Sequence, residues 1–468
     1  MAVLQSDAGV PSRSQVGVTG VAGKPAEGAG EREPISLGDS AGEADVLPSA
    51  VLVPLVDGVA GERFQSLDAL RGDAHTRIGA AGWQRPSDTV SWRVPRPDGD
   101  AIGSVKSVTG QSPPVRVLNY LELESRLDRS GIGTAADQQR AALATTDVSV
   151  LTSPWRGGEP HWAAVDALRG RSAFREYDVA HCNMIGPGTL AVARHAKRTD
   201  TPLVLHAHVT AEDFAESFRG STHLAGPLRR YLRWFYSQAD LVLCPSAYTK
   251  RTLESYPVEA PIQPITNGVD TASLAGFEDL REEYRERFDL DGLVVFSVGN
   301  VFERKGLTTF CRLAEETDYE FAWFGPYDTG PQASETVRRW TQDPPANVTF
   351  TGWVDDKRGA FAAGDVYCFP TKAENQGIAV LEAMACGKPV VLRDIPVFEE
   401  FYTHGHDCLK CETRAEFREA LDRLAADPDL RQRLGENAKE TAGEHSLGRV
   451  GEKLVDAYRR VRNEVTSH

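Results

Sequence analysis

From residue 115 onward, short apolar runs alternate with stretches of helical spacing. The first run is Val115-Arg116-Val117-Leu118-Asn119-Tyr120. It is followed by the glycine loop Arg129-Ser130-Gly131-Ile132-Gly133 and a helix through Gln138, Gln139 and Leu143. Uninterrupted apolar runs bounded by turn residues are the pattern of strands buried on both faces of a parallel sheet. Further strands are predicted at Val148–Leu151, Asp178–His181, Leu203–His206, Leu241–Cys244 and Pro264–Ile265. A second series follows at Val294–Val298, Tyr319–Phe324, Val348–Phe350, Val366–Phe369 and Val390–Leu392. Two successive βα series predict an α/β protein of two doubly wound, Rossmann-like domains whose C-terminal strand edges face a shared cleft. The first would span residues 115–268 and the second 269–445, joined near Asn267-Gly268-Val269-Asp270. A last helix is expected from about Ser446 to Glu464, within the segment 446–468. Residues 1–114 have no sustained period, and their Pro- and Gly-broken runs read as a disordered extension or the product of a mis-assigned start.

Composition narrows the partners. The net charge of −15 disfavours a nucleic-acid binder, which needs a basic footprint. Most of that charge falls in residues 269–468, while 115–268 is nearly neutral. Seven scattered cysteines in apolar surroundings suggest buried free thiols in a reducing compartment. His404, His406, Cys408 and Cys411 crowd one loop, but structural zinc sites draw on two separated ligand pairs, so metal binding is not expected there. Asp289-Leu290-Asp291 sits before a strand, away from the expected cleft, and reads as a turn. No stretch has the length of a membrane-spanning helix, so a soluble or peripheral protein is expected.

Chemistry concentrates in three places. In the first, the polar loop Glu374-Asn375-Gln376-Gly377 opens an apolar helix from Ile378 to Cys386, closed by Gly387. Free N–H groups from Asn375 to Ile378, with the helix dipole, would suit a phosphate or sugar hydroxyls, with Glu374 at the mouth and Glu382 one turn inside. In the second, the strand ending at Gly299 runs on to Arg304-Lys305-Gly306, a basic pair able to neutralise a diphosphate. In the third, His206 and His208 close a strand at its carboxyl edge, where open sheets bind ligands. Gly131 and Gly133 lie in a loop of the kind that approaches phosphate. Trp353 and Val354 follow a strand of the second domain. On the helix from Pro227 to Tyr236, Leu228, Tyr231, Leu232 and Phe235 form an apolar stripe. Arg229, Arg230 and Arg233 take the opposite arc and, with Trp234, could meet anionic headgroups.

The Glu374–Glu382 spacing resembles the E-x7-E signature of family 4 retaining glycosyltransferases of the GT-B fold. The wording through Arg393-Asp394-Ile395-Pro396-Val397, the Glu303-Arg304-Lys305-Gly306 loop and the His206-Ala207-His208…Glu212-Asp213-Phe214 run resemble that family's diacylglycerol and glycolipid branch. The resemblance covers about residues 115–410 and implies a GT-B fold, with the last helix returning to the first domain. It implies transfer of a hexose, glucose or galactose, from a UDP-linked or other nucleotide sugar to a lipid acceptor with retention, and no catalytic metal or cofactor. Under it, Glu374 and the following amides hold the donor sugar, Glu382 the ribose, Arg304 and Lys305 the diphosphate. His208, with His206 as alternate, would lie beside the hexose, and Trp353 and Val354 near the base. The first domain would take the acceptor at an anionic membrane surface, on the cytoplasmic face. Other readings are a same-fold transferase acting on a polysaccharide, oligosaccharide or polyprenyl carrier, a nucleotide-sugar epimerase, or a non-catalytic sugar-nucleotide sensor.

Overall fold

The described strands form two six-stranded sheets, each wholly parallel. The structure is a computed structural model and describes residues 115–127, 129–156, 173–214, 221–330 and 333–466. The expected extension 1–114 and the end of the acidic turn after Phe214 lie outside the described residues.

The first sheet contains β1 (Arg116–Tyr120), β2 (Ser149–Leu151), β3 (Val179–Cys182), β4 (Leu203–His206), β5 (Leu241–Cys244) and β6 (Ile262–Pro264), in the order β2-β1-β3-β4-β5-β6. The second contains β7 (Val294–Val298), β8 (Glu320–Phe324), β9 (Val348–Gly352), β10 (Val366–Phe369), β11 (Val390–Arg393) and β12 (Leu409–Cys411), in the order β12-β11-β10-β7-β8-β9. β3, β4, β5 and β10 are buried at every position, which is why they read as apolar runs. Each sheet reverses its strand order once, between β1 and β3 and between β7 and β10. Ligands bind at such switch points.

Local differences from the sequence reading have local causes. Pro264 ends β6 rather than opening a strand; it lies on a sheet edge, where its missing donor is tolerated, and Ile265 N donates to Cys244 O at 2.8 Å. The helix expected from Pro227 begins at Ser221 and carries Pro227 inside it. Its stripe is as expected: Leu228, Tyr231, Leu232 and Phe235 enter the core of the first sheet.

The chain crosses between the sheets twice, side by side. Val269 N donates to His445 O at 2.9 Å, beside the second crossing at Ser446. The helix Leu447–Thr466 then packs on the helix Gly131–Ala144, placing Val450, Leu454, Tyr458 and Val461 in the first sheet's outer core. All seven cysteines are buried and free.

Candidate functional site

The strand edges of the two sheets enclose a cavity of about 600 Å³. Its floor is the second sheet's switch point. The turn after β7 carries Arg304 and Lys305, and the turn after β10 carries Glu374 to Gly377. Gly306 lets these turns meet: its φ is +85°, and a Cβ there would lie 2.1 Å from Pro370 O. Lys372 N donates to Arg304 O at 2.7 Å, and Thr371 Oγ1 lies 3.2 Å from the same oxygen.

This stitching brings residues 70 apart in sequence into one charge cluster. Lys305 Nζ donates to Glu374 Oε1 at 2.5 Å, Arg304 Nη1 at 3.3 Å and Thr371 Oγ1 at 3.2 Å. Arg304 also donates to Ala373 O at 2.6 Å. Burial alone would raise the Glu374 carboxyl, but the Lys305 and Arg304 charges outweigh it and hold it below its usual range. The two cations therefore do not stand free for a diphosphate; Glu374 already balances one of them. The cluster keeps one net positive charge beside the helix Ile378–Ala385. That helix starts at Gly377 (φ +87°) without a side-chain cap, leaving its first amides open. Glu382 lies one turn inside, where Oε1 accepts from Lys357 Nζ at 2.7 Å.

The first sheet supplies the roof. His208, partly buried, lines the cavity, and burial lowers its pKa to about 3, so the ring is neutral at ordinary pH. His208 O accepts from Asn375 Nδ2 at 3.1 Å, which ties roof to floor. Gly131 also lines the cavity. Across the mouth, the Arg129 guanidinium lies 4.8 Å from the centre of the exposed Trp353 ring, with Val354 buried behind.

The structure thus gathers Gly131, His208, Arg304, Lys305, Trp353, Val354, Glu374, Asn375, Gln376, Gly377, Ile378 and Glu382 around one cavity. Several placements differ from the sequence reading. The Gly133 amide donates to Ser130 Oγ at 3.1 Å as part of a helix cap and is not on the cavity wall. His206, the alternate to His208, is not on the cavity wall: it is buried, its ring stacked 4.2 Å behind that of His208. Gln376 spends its side chain on the crossing, where Oε1 accepts from Asn267 N and Nδ2, both at 2.9 Å, and Nε2 donates to Thr266 Oγ1. Arg229, Arg230, Arg233 and Trp234 are absent from the cavity wall. The three arginines are exposed; Arg229 bonds Ser255 Oγ at 2.6 Å and overlies the Tyr256 ring, and Trp234 packs on Tyr231. Sequence reasoning missed Arg129 and Lys357; Lys357, within the polar stretch Asp355-Asp356-Lys357, carried the only hint, a cation at a helix start.

Comparison with known proteins bears on this site. The family described as "Glycosyltransferase Family 4" matches residues 130–273, and that described as "Glycosyl transferases group 1" matches residues 280–441. The chain is 30% identical over 353 residues to the processive diacylglycerol alpha-glucosyltransferase of Acholeplasma laidlawii, covering 74% of this chain and 98% of that one. It is 26% identical over 294 residues to the alpha-galactosylglucosyldiacylglycerol synthase of Streptococcus pneumoniae, covering 60% and 77%. Its fold is shared with Anabaena HepE, solved with UDP and glucose (TM-score 0.56, 17% identity, 73% and 99% of the two chains). It is also shared with the sucrose-phosphate synthase of Thermosynechococcus elongatus (TM-score 0.59, 18% identity, 74% and 99%).

Proposed function

The chain belongs to the family 4 glycosyltransferases of the GT-B fold, and from that premise we propose that it moves a hexose from a nucleotide sugar to a diacylglycerol-like lipid, forming an α-glycoside with retention. The observation that carries this reading is the Arg304–Lys305–Glu374 cluster at an uncapped helix start, with His208 across the same cavity. UDP-glucose or UDP-galactose is the proposed donor; the names of the glycolipid relatives support the choice of glucose or galactose as the sugar.

Negative charge grows on the diphosphate as the sugar bond breaks. A preorganised positive site of Lys305, Arg304 and the amides from Asn375 to Ile378 stabilises that charge without reorganising. Glu374, held by both cations, is fixed to accept hydrogen bonds from sugar hydroxyls. Because it is occupied by cations, it is poorly placed to attack the sugar. The route proposed is therefore a same-face displacement, in which the acceptor oxygen bonds the anomeric carbon as the diphosphate leaves and a phosphate oxygen takes the hydroxyl proton. Glu382 holds the ribose, and no metal is required in this scheme.

The 115–268 domain is proposed to take the lipid acceptor, and the 269–445 domain the donor. No helix among the described residues is long and apolar enough to cross a membrane. Arg229, Arg230 and Arg233 lie on the exposed face of their helix, and anionic lipid is proposed to dock there, on the cytoplasmic side of the membrane. Incubation of the purified protein with a panel of labelled nucleotide sugars and membrane lipid extract tests the reading. Label in a lipid that mild alkali deacylates to a water-soluble α-glycosylglycerol supports it; label only in polysaccharide or polyprenyl carriers, or none beyond donor hydrolysis, overturns it. For the surface, a variant with all three arginines changed to glutamate should lose salt-sensitive sedimentation with anionic vesicles, and equal sedimentation would discard that role.

A further inference from the structure

Behind His208 lies a polar network at the first sheet's switch point, built from residues that the reaction scheme does not use. Asn119 at the end of β1, Gln139 on the following helix and Asn183 just after β3 are all essentially inaccessible to solvent. Their hydrogen bonds form a branched chain. Arg140 Nε donates to Asn119 Oδ1 at 3.3 Å, and Asn183 Nδ2 donates to the same oxygen at 3.2 Å. Asn119 Nδ2 donates to Gln139 Oε1 at 3.0 Å. Gln139 Nε2 lies 3.1 Å from His206 Nδ1, and Asn183 Oδ1 lies 2.9 Å from His208 Nε2.

Amide and imidazole orientations are ambiguous one at a time, but one member of this network is not. A guanidinium carries donors only. Arg140 therefore fixes the atom it meets on Asn119 as the carbonyl oxygen, and every later choice follows. Asn119 must offer its NH₂ to Gln139, so the Gln139 oxygen accepts there and its NH₂ points to His206. Asn183 must offer its NH₂ to Asn119, since the reverse orientation would set two carbonyl oxygens against each other. Its own oxygen then faces His208 and accepts, which requires the proton of His208 to be on Nε2. His208 Nδ1 has no hydrogen-bond partner among the described residues. It is also absent from the sealed, unsatisfied atoms of the interior, so it opens on the cavity that His208 lines.

The geometry points to Asn183 as a positioning residue that locks His208 in the Nε2–H tautomer and presents its bare Nδ1 to the donor cavity, with Arg140 setting the polarity of the lock. The consequence rests on the proposed reaction: Nδ1 accepts a hydrogen bond from a donor-sugar hydroxyl and cannot donate one. The stack on His206, at 4.2 Å with planes 11° apart, holds the ring flat against a second neutral imidazole.

The test reads the tautomer directly, by long-range ¹H–¹⁵N spectra of protein labelled at histidine nitrogen. The His208 signals are assigned by their disappearance in His208→Gln. In the wild type, Nδ1 should be pyridine-like and Nε2 protonated. Asn183→Ala should average the two nitrogens and lower kcat by about 10²-fold, with a smaller change in donor KM. Arg140→Met, outside the cavity wall, should also mix the tautomers and supplies the answer if Asn183→Ala does not fold. Asn183→Asp keeps an acceptor toward His208, and therefore the tautomer, although its second oxygen is set against Asn119 Oδ1. Its carboxylate favours the imidazolium, so activity should gain an acidic limb that the wild type lacks. A proton on Nδ1 of the wild-type ring, or unchanged tautomer populations in both Asn183→Ala and Arg140→Met, overturns the proposal. The spectra do not depend on turnover, so failure of the transferase reading leaves this result separately decided.

Discussion

Replacing Glu374 by glutamine should uncouple nucleotide binding from sugar transfer. The substitution keeps the shape of the side chain and removes the one carboxylate between Lys305 and Arg304, whose side chains are only 19% and 10% exposed. Breaking a buried pair by removing one partner costs roughly 3–5 kcal/mol. The loss should sit at the low end of that range, since Arg304 keeps its bond to Ala373 O and Lys305 can swing toward the cavity. The Glu374 carboxyl is held below its ordinary range, so its contribution is fully present above the unfolded pKa near 4.3 and disappears as pH falls through the folded value. The stability gap between wild type and variant, from urea melts, should therefore close as the medium is acidified. Ligand binding should move the other way. One negative charge about 5 Å from a diphosphate, at an effective dielectric near 20, is worth about 3 kcal/mol of repulsion. If half survives screening, UDP should bind the variant about tenfold more tightly. Transfer should fall by at least about 10²-fold, because the sugar hydroxyls lose their oriented acceptor. Calorimetry with UDP and initial rates with the nucleotide sugar measure both. Weaker UDP binding together with near-normal transfer would refute the reasoning.

Lys357→Ala frees the Glu382 carboxylate that it now orients, so donor KM should rise about tenfold with kcat little changed; initial-rate kinetics would show a kcat effect if the ribose assignment is wrong. Gly306→Ala forces a Cβ against Pro370 O at positive φ and should cost about 2 kcal/mol or more, read as a lowered melting temperature; an unshifted melt would mean that the two turns are not held in contact. His181, His206 and His208 are kept neutral by burial, with folded pKa values of about 3 for His181 and His208. Stability should be full above pH 6.5 and fall below it at about 1.4 kcal/mol per pH unit for each histidine, because the unfolded chain takes up the protons. Urea melts from pH 7.5 to 5.5 should show a shallower slope in His181→Gln, and parallel slopes would contradict this.

The two-sheet architecture was legible because strands buried on both faces, such as β3, β4 and β10, have no polar face to interrupt the pattern. The edge strand β6 and the start of the helix at Ser221 were less so, since partial burial and a proline blur the period. Glu374, Arg304, Lys305 and His208 could be picked out singly. That Glu374 is clamped by both cations could not, because it depends on Gly306 letting two distant turns touch. The network behind His208 was also hidden. Asn119, Gln139 and Asn183 come from three separate stretches, and only their convergence at the switch point distinguishes them from ordinary turn and helix polars.

The return of the last helix to the first sheet bears on how the molecule is made. Residues 269–444 form a contiguous sheet-and-helix unit whose fully buried core residues all lie within it, from Val269 to Ala442, so every part of that core is present once the unit leaves the ribosome. The first domain cannot follow the same order, although it emerges earlier. Its outer core includes Val450, Leu454, Tyr458 and Val461, so it must hold an uncovered apolar surface until translation reaches them. The half of the protein synthesised first is thus completed last, and its exposure to aggregation and chaperones is set by the time needed to translate everything in between.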